Sequence, residues 1–177
     1  MVTEQSLKKI KAVVFDIDGV MTDGSLIPLS DGDLLRVFDA KDSFAIRVAA
    51  RKGLITAIIS GGKTEALEKR CLHLNVKPEN LFLGARGKLA IFNRFCEQNG
   101  ILPEEVMYFG DDIPDIQVLK ACGIGVAPSD AAEEAKEAAD IVSEFPGGKW
   151  CVRHEVENLL KTQGKWTFNP DRFEEFY

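Results

Sequence analysis

Short runs of apolar residues alternate with longer amphipathic stretches along most of the chain. The runs are only a few residues long and several are rich in β-branched side chains, which indicates strands buried on both faces. We predict such strands over residues 11–16, 54–59, 80–83, 106–109, 123–127 and 141–142. Residues 24–40 instead combine Gly24, Pro28 and Gly32 with alternating apolar positions, and this pattern predicts a β-hairpin flap.

The stretches between these runs predict helices over residues 42–52, 63–74, 88–99, 115–121, 131–138 and 152–160. Gly53 and Gly100 follow two of them, at the position where glycine commonly ends a helix. Strands that alternate with helices predict the α/β class, with a Rossmann-like, doubly wound parallel sheet covered on both faces.

The chain shows no internal repeat and no linker, so we predict one domain over residues 1–161. Residues 162–177 differ because they hold five aromatic side chains: Trp166, Phe168, Phe173, Phe176 and Tyr177. Disordered tails are usually poor in aromatic residues. We therefore predict that this tail packs on its own domain or on a neighbouring subunit.

Composition and charge narrow the classes of function. Hydrophobic residues make up 45% of the 177 residues and charged residues 28%, which is typical of globular proteins and excludes a disordered chain or a fibre. The formal net charge of −6 argues against nucleic acid and anionic membranes as partners. We expect no membrane span, because no window reaches the roughly 18 consecutive apolar residues that one needs.

The cysteines are widely spaced, at Cys71, Cys96, Cys122 and Cys151. No close cysteine pair or paired histidine accompanies them, so their spacing is not that of a zinc site. We interpret them as reduced core residues, and this favours a cytoplasmic protein.

Polar residues follow the ends of four predicted strands: Asp16 and Asp18, Ser60, Lys88, and Asp111, Asp112 and Asp115. Ligands of doubly wound sheets bind at the carboxyl ends of the strands, so we expect these side chains to converge. Clustered carboxylates suit a hard cation such as Mg2+ that also binds a phosphate. A lysine can neutralise charge on a transferred phosphoryl group. One carboxylate can attack phosphorus, and a second can donate and accept a proton.

These motifs, in this order, resemble the haloacid dehalogenase-like phosphatases. The resemblance implies that Asp16 is the nucleophile that forms an aspartyl-phosphate and that Asp18 is the general acid and base. It implies that Ser60 and Lys88 hold the phosphoryl group. Mg2+ would be bound by Asp16, the backbone carbonyl of Asp18 and Asp111. Asp112 and Asp115 would be supporting acids whose separate roles stay open.

Spacing subdivides this family. Forty-four residues separate Asp16 from Ser60, and 28 separate Ser60 from Lys88. The first gap must hold the flap and a helix, and the second a helix and a strand. We therefore expect no cap domain over the site, and substrate selection that depends on a partner subunit.

Within the capless branch, residues 16–24, 39–47, 61–71 and 147–155 resemble the 3-deoxy-D-manno-octulosonate 8-phosphate phosphatases. This closer resemblance implies a sugar-acid phosphate as substrate, a homotetramer, and a role in lipopolysaccharide precursor synthesis. The implied substrate contacts are the phosphate-site residues Asp18 and Lys88 together with Asp39, Ala40, Lys41, Asp42, Ser43, Arg47 and Arg70. Many members have arginine where this chain has Gly62, and Lys63 is a candidate substitute. On their own, Arg47 and Arg70 equally fit exposed ion-pairing residues.

Three alternatives stay open. The nearest is the same chemistry on a nine-carbon, sialic-acid-type 9-phosphate. A second is a non-catalytic tetramerisation domain, against which the four intact motifs argue. A third is a phospho-accepting receiver, which also clusters acids and a lysine but needs no second aspartate such as Asp18.

Overall fold

The computed structural model describes residues 2–169 and 171–172. The strands are β1 (Ala12–Phe15), β2 (Ile27–Pro28), β3 (Leu34–Leu35), β4 (Ile55–Ser60), β5 (Leu81–Leu83), β6 (Val106–Phe109), β7 (Ile124–Ala127) and β8 (Ile141–Val142). The α-helices are α1 (Glu4–Lys9), α2 (Ala40–Arg51), α3 (Glu65–His73), α4 (Lys88–Asn99), α5 (Ile116–Ala121), α6 (Glu133–Ala138) and α7 (Cys151–Thr162). Short 3-10 turns at Pro78–Asn80, Pro103–Glu105 and Ile113–Asp115 precede β5, β6 and α5.

Six of the described strands form one parallel sheet in the order β5-β4-β1-β6-β7-β8. In β1, Val14 lies beside Ala57 of β4 on one side and beside Tyr108 of β6 on the other. The chain therefore leaves β1 in one direction and later returns to build the sheet in the other. Such a reversal opens a crevice at the carboxyl ends of the central strands.

Strand β1 is buried on both faces, and its side chains alternate between two apolar clusters. Val13 and Phe15 pack in the cluster that includes residues of α2 and α7. Ala12 and Val14 pack in the cluster that includes Phe92 of α4. Because dense packing holds this strand from both sides, the residue that follows it, Asp16, starts from a well-fixed backbone.

The predicted fold class is confirmed, and the hairpin flap appears as the antiparallel pair β2 and β3. Helix α2 begins earlier than predicted, at Ala40, because the Asp39 carboxylate accepts hydrogen bonds from the backbone N–H groups of Lys41 and Asp42. Helix α1 was not predicted. It has only six residues, and Leu7 is the one apolar residue that packs against the core, so no apolar periodicity reveals it.

The start of the tail lies against helix α2. The rings of Trp166 and Phe168 meet edge to face with centroids 5.0 Å apart, and both contact the ring of Phe44. Phe173, Phe176 and Tyr177 lie outside the described residues, so packing of the whole tail stays a prediction, as does the division at residue 161. Across the described residues, no helix combines the length and hydropathy that crossing a bilayer requires.

Candidate active site

An open crevice of about 690 Å³ lies at the carboxyl ends of β1, β4 and β6. It is lined by the polar residues singled out from the four motifs: Asp16, Asp18, Ser60, Lys88, Asp111, Asp112 and Asp115. Parallel pairing of the strands brings these distant segments together, because all three strands end at the same edge of the sheet.

Asp16 directly follows β1, and its backbone N–H donates to the carbonyl of Phe109 at 3.0 Å. Its Oδ2 accepts a hydrogen bond from Lys88 Nζ at 2.7 Å. Its Oδ1 is buried and has no hydrogen-bond partner among the residues that the structure describes. A buried carboxylate oxygen without a partner is costly, so this atom is suited to an incoming ligand.

Lys88 opens α4 and lies between two carboxylates. Its Nζ is 2.7 Å from Asp16 Oδ2 and 2.7 Å from Asp115 Oδ1. Burial disfavours the charged ammonium, but the two carboxylates outweigh it and raise the pKa of Lys88. The resemblance implies that Lys88 holds the phosphoryl group; the structure places it beside the candidate nucleophile, which it also orients.

Asp115 is fully buried behind this pair. Its Oδ1 also accepts a hydrogen bond from the Tyr108 hydroxyl, and its Oδ2 accepts one from the backbone N–H of Asp111 at 3.3 Å. Tyr108 was missed by the sequence analysis, because it lies within an apolar strand where its hydroxyl gives no signal. Asp115 therefore links strand β6, the following loop and Lys88.

One carboxylate oxygen each from Asp16, Asp111 and Asp115 lies within 4.8 Å of the others. Burial raises the pKa of Asp16 to about 6. Burial and the neighbouring Asp16 and Asp115 charges raise the pKa of Asp111 to about 7. A hard cation would relieve the mutual repulsion of these carboxylates, so the donor set fits Mg2+. The backbone carbonyl of Asp18, the third predicted ligand, stays a prediction.

Two glycines allow the acidic residues to approach this closely. Gly19 has φ +85°, and a Cβ on it would lie 1.9 Å from Asp111 Oδ2. A Cβ on Gly110 would lie 2.5 Å from the Cβ of Asp115. Both positions thus exclude any side chain, and the Asp111 carboxylate packs directly against the loop that follows Asp16.

Asp18 is paired with an arginine that the sequence analysis did not identify. Arg36, just after β3 in the hairpin, donates from Nε to Asp18 Oδ1 at 2.6 Å and from Nη2 to Oδ2 at 3.0 Å. The guanidinium lies against Gly62, whereas the stem of Lys63 lies against Gly84. Arg36 is therefore a cation beside Gly62, where the sequence suggested Lys63 as a substitute for the missing arginine.

Three residues of the predicted sugar-acid site lie together outside the crevice lining. Arg70 Nη2 donates a hydrogen bond to Ser43 Oγ, and the guanidinium lies 5.2 Å from the ring centre of Phe38. Burial and the nearby charge of Arg47 lower the pKa of Arg70. Two cations held close together favour an anionic ligand, so the implied contacts of Arg47 and Arg70 with the sugar acid stay a prediction that the geometry supports.

The remaining predicted sugar contacts take part in the structure of the fold. Asp42 accepts hydrogen bonds from the backbone N–H groups of Trp150 at 3.2 Å and Arg153 at 2.7 Å, at the start of α7. Burial raises the pKa of Asp42 to about 6. Lys41 Nζ lies 3.9 Å from the ring centre of Trp150. A role of Asp39, Ala40, Lys41 and Asp42 in sugar binding stays a prediction.

Comparison with known proteins gives a consistent picture. Residues 84–146 match the family model of a haloacid dehalogenase-like hydrolase. The chain is 35% identical over 158 residues to the 3-deoxy-D-manno-octulosonate 8-phosphate phosphatase of Escherichia coli strain K12, covering 89% of this chain and 83% of that protein. The phosphatase of the same name from Haemophilus influenzae is 33% identical, with 92% of this chain and 89% of the relative covered.

Solved structures agree with these matches. The 3-deoxy-D-manno-octulosonate 8-phosphate phosphatase from Moraxella catarrhalis, solved with a magnesium ion, a phosphate ion and a KDO molecule, superposes with a TM-score of 0.87 at 28% identity. That alignment covers 92% of each chain. A cobalt-bound phosphatase structure from Haemophilus influenzae gives a TM-score of 0.86 at 33% identity, covering 90% of this chain and 92% of that one.

Proposed function

Because the chain belongs to the 3-deoxy-D-manno-octulosonate 8-phosphate phosphatases, within the haloacid dehalogenase-like hydrolases, we propose that it hydrolyses that sugar phosphate. The products are the free sugar acid and inorganic phosphate. The observation that carries this proposal is the buried Asp16, whose Oδ1 has no partner among the described residues while Lys88 holds Oδ2. This arrangement leaves one carboxylate oxygen available to attack phosphorus.

In the first step, Asp16 Oδ1 forms a bond to phosphorus while the bond from phosphorus to the sugar oxygen breaks. Asp18 donates a proton to the departing oxygen, which leaves as a hydroxyl. Lys88 keeps the Asp16 carboxylate oriented through its 2.7 Å contact with Oδ2. The product of this step is an aspartyl-phosphate on Asp16.

In the second step, Asp18 takes a proton from water, and the oxygen of that water attacks phosphorus. The bond from phosphorus to Asp16 breaks and releases phosphate. Ser60 Oγ accepts a hydrogen bond from the backbone N–H of Gly62 at 3.3 Å, so its own proton is available to a phosphoryl oxygen. These roles of Ser60 and Asp18 are part of the proposal.

Asp16 and Asp111, with Asp115 beside them, would hold Mg2+. When bound, the ion would neutralise the carboxylates and the phosphoryl oxygens, which lets an anionic substrate enter a site with excess negative charge. Asp112 lines the same crevice, and we assign it a supporting role.

Phosphate release from a panel of sugar phosphates tests the function. With Mg2+ present, we expect kcat/KM for 3-deoxy-D-manno-octulosonate 8-phosphate to exceed that for nine-carbon 9-phosphates by roughly tenfold or more, since the sugar pocket must fit one length. Excess EDTA is expected to stop turnover, and added Mg2+ to restore it.

Three other results would each indicate one of the alternatives. Preference for a nine-carbon substrate would replace the proposed sugar and keep the chemistry. Tetramers that release no phosphate from any sugar phosphate would leave a non-catalytic tetramerisation domain. A long-lived phosphoaspartate after treatment with an acyl phosphate would indicate a receiver instead.

A homotetramer is also part of the proposal, and the hairpin supports it. Five large apolar residues of the hairpin and its flanks are exposed by 42% to 68%: Leu26, Ile27, Leu29, Leu35 and Val37. Apolar groups clustered on one small element are typical of an interface between chains. The four free cysteines support a cytoplasmic location, where lipopolysaccharide precursor synthesis would place the enzyme.

Light scattering coupled to size exclusion tests the assembly. The wild-type chain is expected to elute at four times its 19.5 kDa mass, and the double variant Ile27→Ser, Val37→Ser at the mass of a smaller species. Leu102→Ser is the matched control, because Leu102 is 56% exposed but lies away from the hairpin. A monomeric wild type, or an unchanged mass of the double variant, would contradict the proposed interface.

A further inference from the structure

Arg36 connects the hairpin to Asp18 through a buried guanidinium. Its side chain is only 4% exposed, although it follows a strand whose own residues are partly open to solvent. Nε and Nη2 each donate to a different oxygen of Asp18, and Nη1 donates to the carbonyl of Leu34 at 3.1 Å. All three guanidinium nitrogens are therefore engaged at once.

This two-point contact fixes an orientation as well as a distance. Two parallel hydrogen bonds from one planar guanidinium hold the carboxylate in a defined plane, which a single bond from a lysine cannot do. The bond to Leu34 fixes the guanidinium on its own strand in turn. The orientation of the Asp18 carboxylate is thus set by the hairpin as well as by the loop that carries Asp18.

Gly62 leaves the space in which this pair forms. A Cβ on Gly62 would lie 3.2 Å from Arg36 Nη2 and 3.7 Å from Asp18 Oδ2. The side chain of Leu67 closes the same space, with its Cδ1 3.1 Å from that Cβ position. A longer side chain at position 62 would push against the guanidinium, so the glycine and the arginine fit each other.

We propose that Arg36 is a positioning residue for Asp18 in phosphoryl transfer, an inference that rests on the proposed function. A general acid must lie within hydrogen-bond reach of the leaving oxygen, and a misplacement of about 1 Å costs on the order of 100-fold in rate. Asp18 is 29% exposed and would otherwise sample several rotamers. Each carboxylate oxygen keeps a second lone pair, so one that accepts from Arg36 can still carry the transferred proton.

The test compares two leaving groups. A sugar or other alkyl alkoxide needs a proton as it leaves, whereas 4-nitrophenolate leaves readily without one. Since kcat/KM reports the steps up to departure of the leaving group, Arg36→Met is expected to lower it roughly 10- to 100-fold for an alkyl phosphate. For 4-nitrophenyl phosphate we expect a loss of less than about threefold, because that step needs no general acid. Arg36→Lys keeps the charge and is expected to recover part of the alkyl activity.

Two controls separate positioning from folding and assembly. Arg94→Met removes an arginine of α4 that stacks on Phe82 of β5 and does not line the crevice, and it is expected to leave both activities unchanged. In an Asp18→Asn background, Arg36→Met is expected to cause no further loss with the alkyl phosphate, because Arg36 acts through Asp18.

Equal losses with both leaving groups would overturn the inference and give Arg36 a structural role only. A further loss in the Asp18→Asn background would overturn it as well, since Arg36 would then act directly. Failure of the wild type to hydrolyse the eight-carbon sugar phosphate would instead count against the proposed substrate. The ratio between a simple alkyl phosphate and 4-nitrophenyl phosphate would still test Arg36.

Discussion

Asp16→Asn is expected to lower kcat for phosphate release by at least about 10⁴-fold at saturating Mg2+, the range seen when a covalent nucleophile is removed. The amide keeps the shape of the side chain. However, its oxygen is a weaker nucleophile than a carboxylate oxygen, and the second carboxylate oxygen is replaced by a nitrogen. In the wild type, that oxygen is Oδ1, which is buried and lacks a protein partner in the described structure. The neighbouring Lys88 and Asp115 would remain paired, so the fold is expected to persist.

Mass spectrometry after acid quenching measures the intermediate directly. Wild-type enzyme mixed with substrate is expected to carry one phosphoryl group on the peptide that contains Asp16, and the variant none. Asp16→Ala serves beside it, because an asparagine that deamidates would restore activity. Asp140→Asn is the matched control, since Asp140 accepts from the Gly125 backbone at the far side of the sheet. Retained turnover in both Asp16 variants would refute the covalent mechanism.

The sequence predicts both the strands of the sheet and the location of the site, because the second follows from the first. Runs such as 12–15 and 106–109 are short, mostly apolar and fully buried, as expected of strands covered on both faces. Once the strands are parallel, their carboxyl ends must meet at one edge. Asp16, Ser60 and Asp111 therefore share a crevice although dozens of residues separate them along the chain.

A sequence pattern does not reveal the residues that hydrogen-bond the site aspartates from other elements of the fold. Tyr108 lies in a buried strand and fits its apolar run, so nothing distinguishes the hydroxyl that donates to Asp115. Arg36 lies in a short hairpin, 18 residues from the Asp18 that it holds. Only the three-dimensional path of the hairpin back over the crevice joins the two.

The family resemblance and the structure assign different roles to two aspartates at helix ends. The resemblance implies that Asp39 and Asp42 contact a sugar, while the structure shows Asp39 capping α2 and Asp42 accepting from the start of α7. An aspartate immediately before a helix is a recognisable cap signal. The hydrogen bonds that Asp42 accepts from a segment more than 100 residues away cannot be recognised in the sequence, because they depend on how α2 packs on α7.

Lys88→Met is expected to destabilise the metal-free fold by about 3–5 kcal/mol, the cost of leaving a buried charge without its partner. Its Nζ contacts Asp16 Oδ2 and Asp115 Oδ1, and the three side chains are between 1% and 11% exposed. Methionine has a similar volume and cannot donate, so both carboxylates lose their counter-charge. Urea unfolding in EDTA measures this loss, and phosphate release is expected to fall on the order of 100-fold or more, since the nucleophile loses its orientation.

The dependence of this loss on pH separates lost charge pairing from lost packing. Burial already raises the pKa of Asp16 to about 6 against the opposing effect of Lys88, so removing the lysine raises that pKa further. An unfolded aspartate titrates near 3.9, so the folded variant binds more protons above that pH and its stability falls as pH rises through the folded pKa. The deficit relative to wild type should therefore be larger at pH 8 than at pH 5. Lys69→Met, which breaks an exposed pair with Glu65, should leave the unfolding midpoint unchanged at both. A deficit of equal size at pH 5 and pH 8 would mean that Lys88 acts through packing alone.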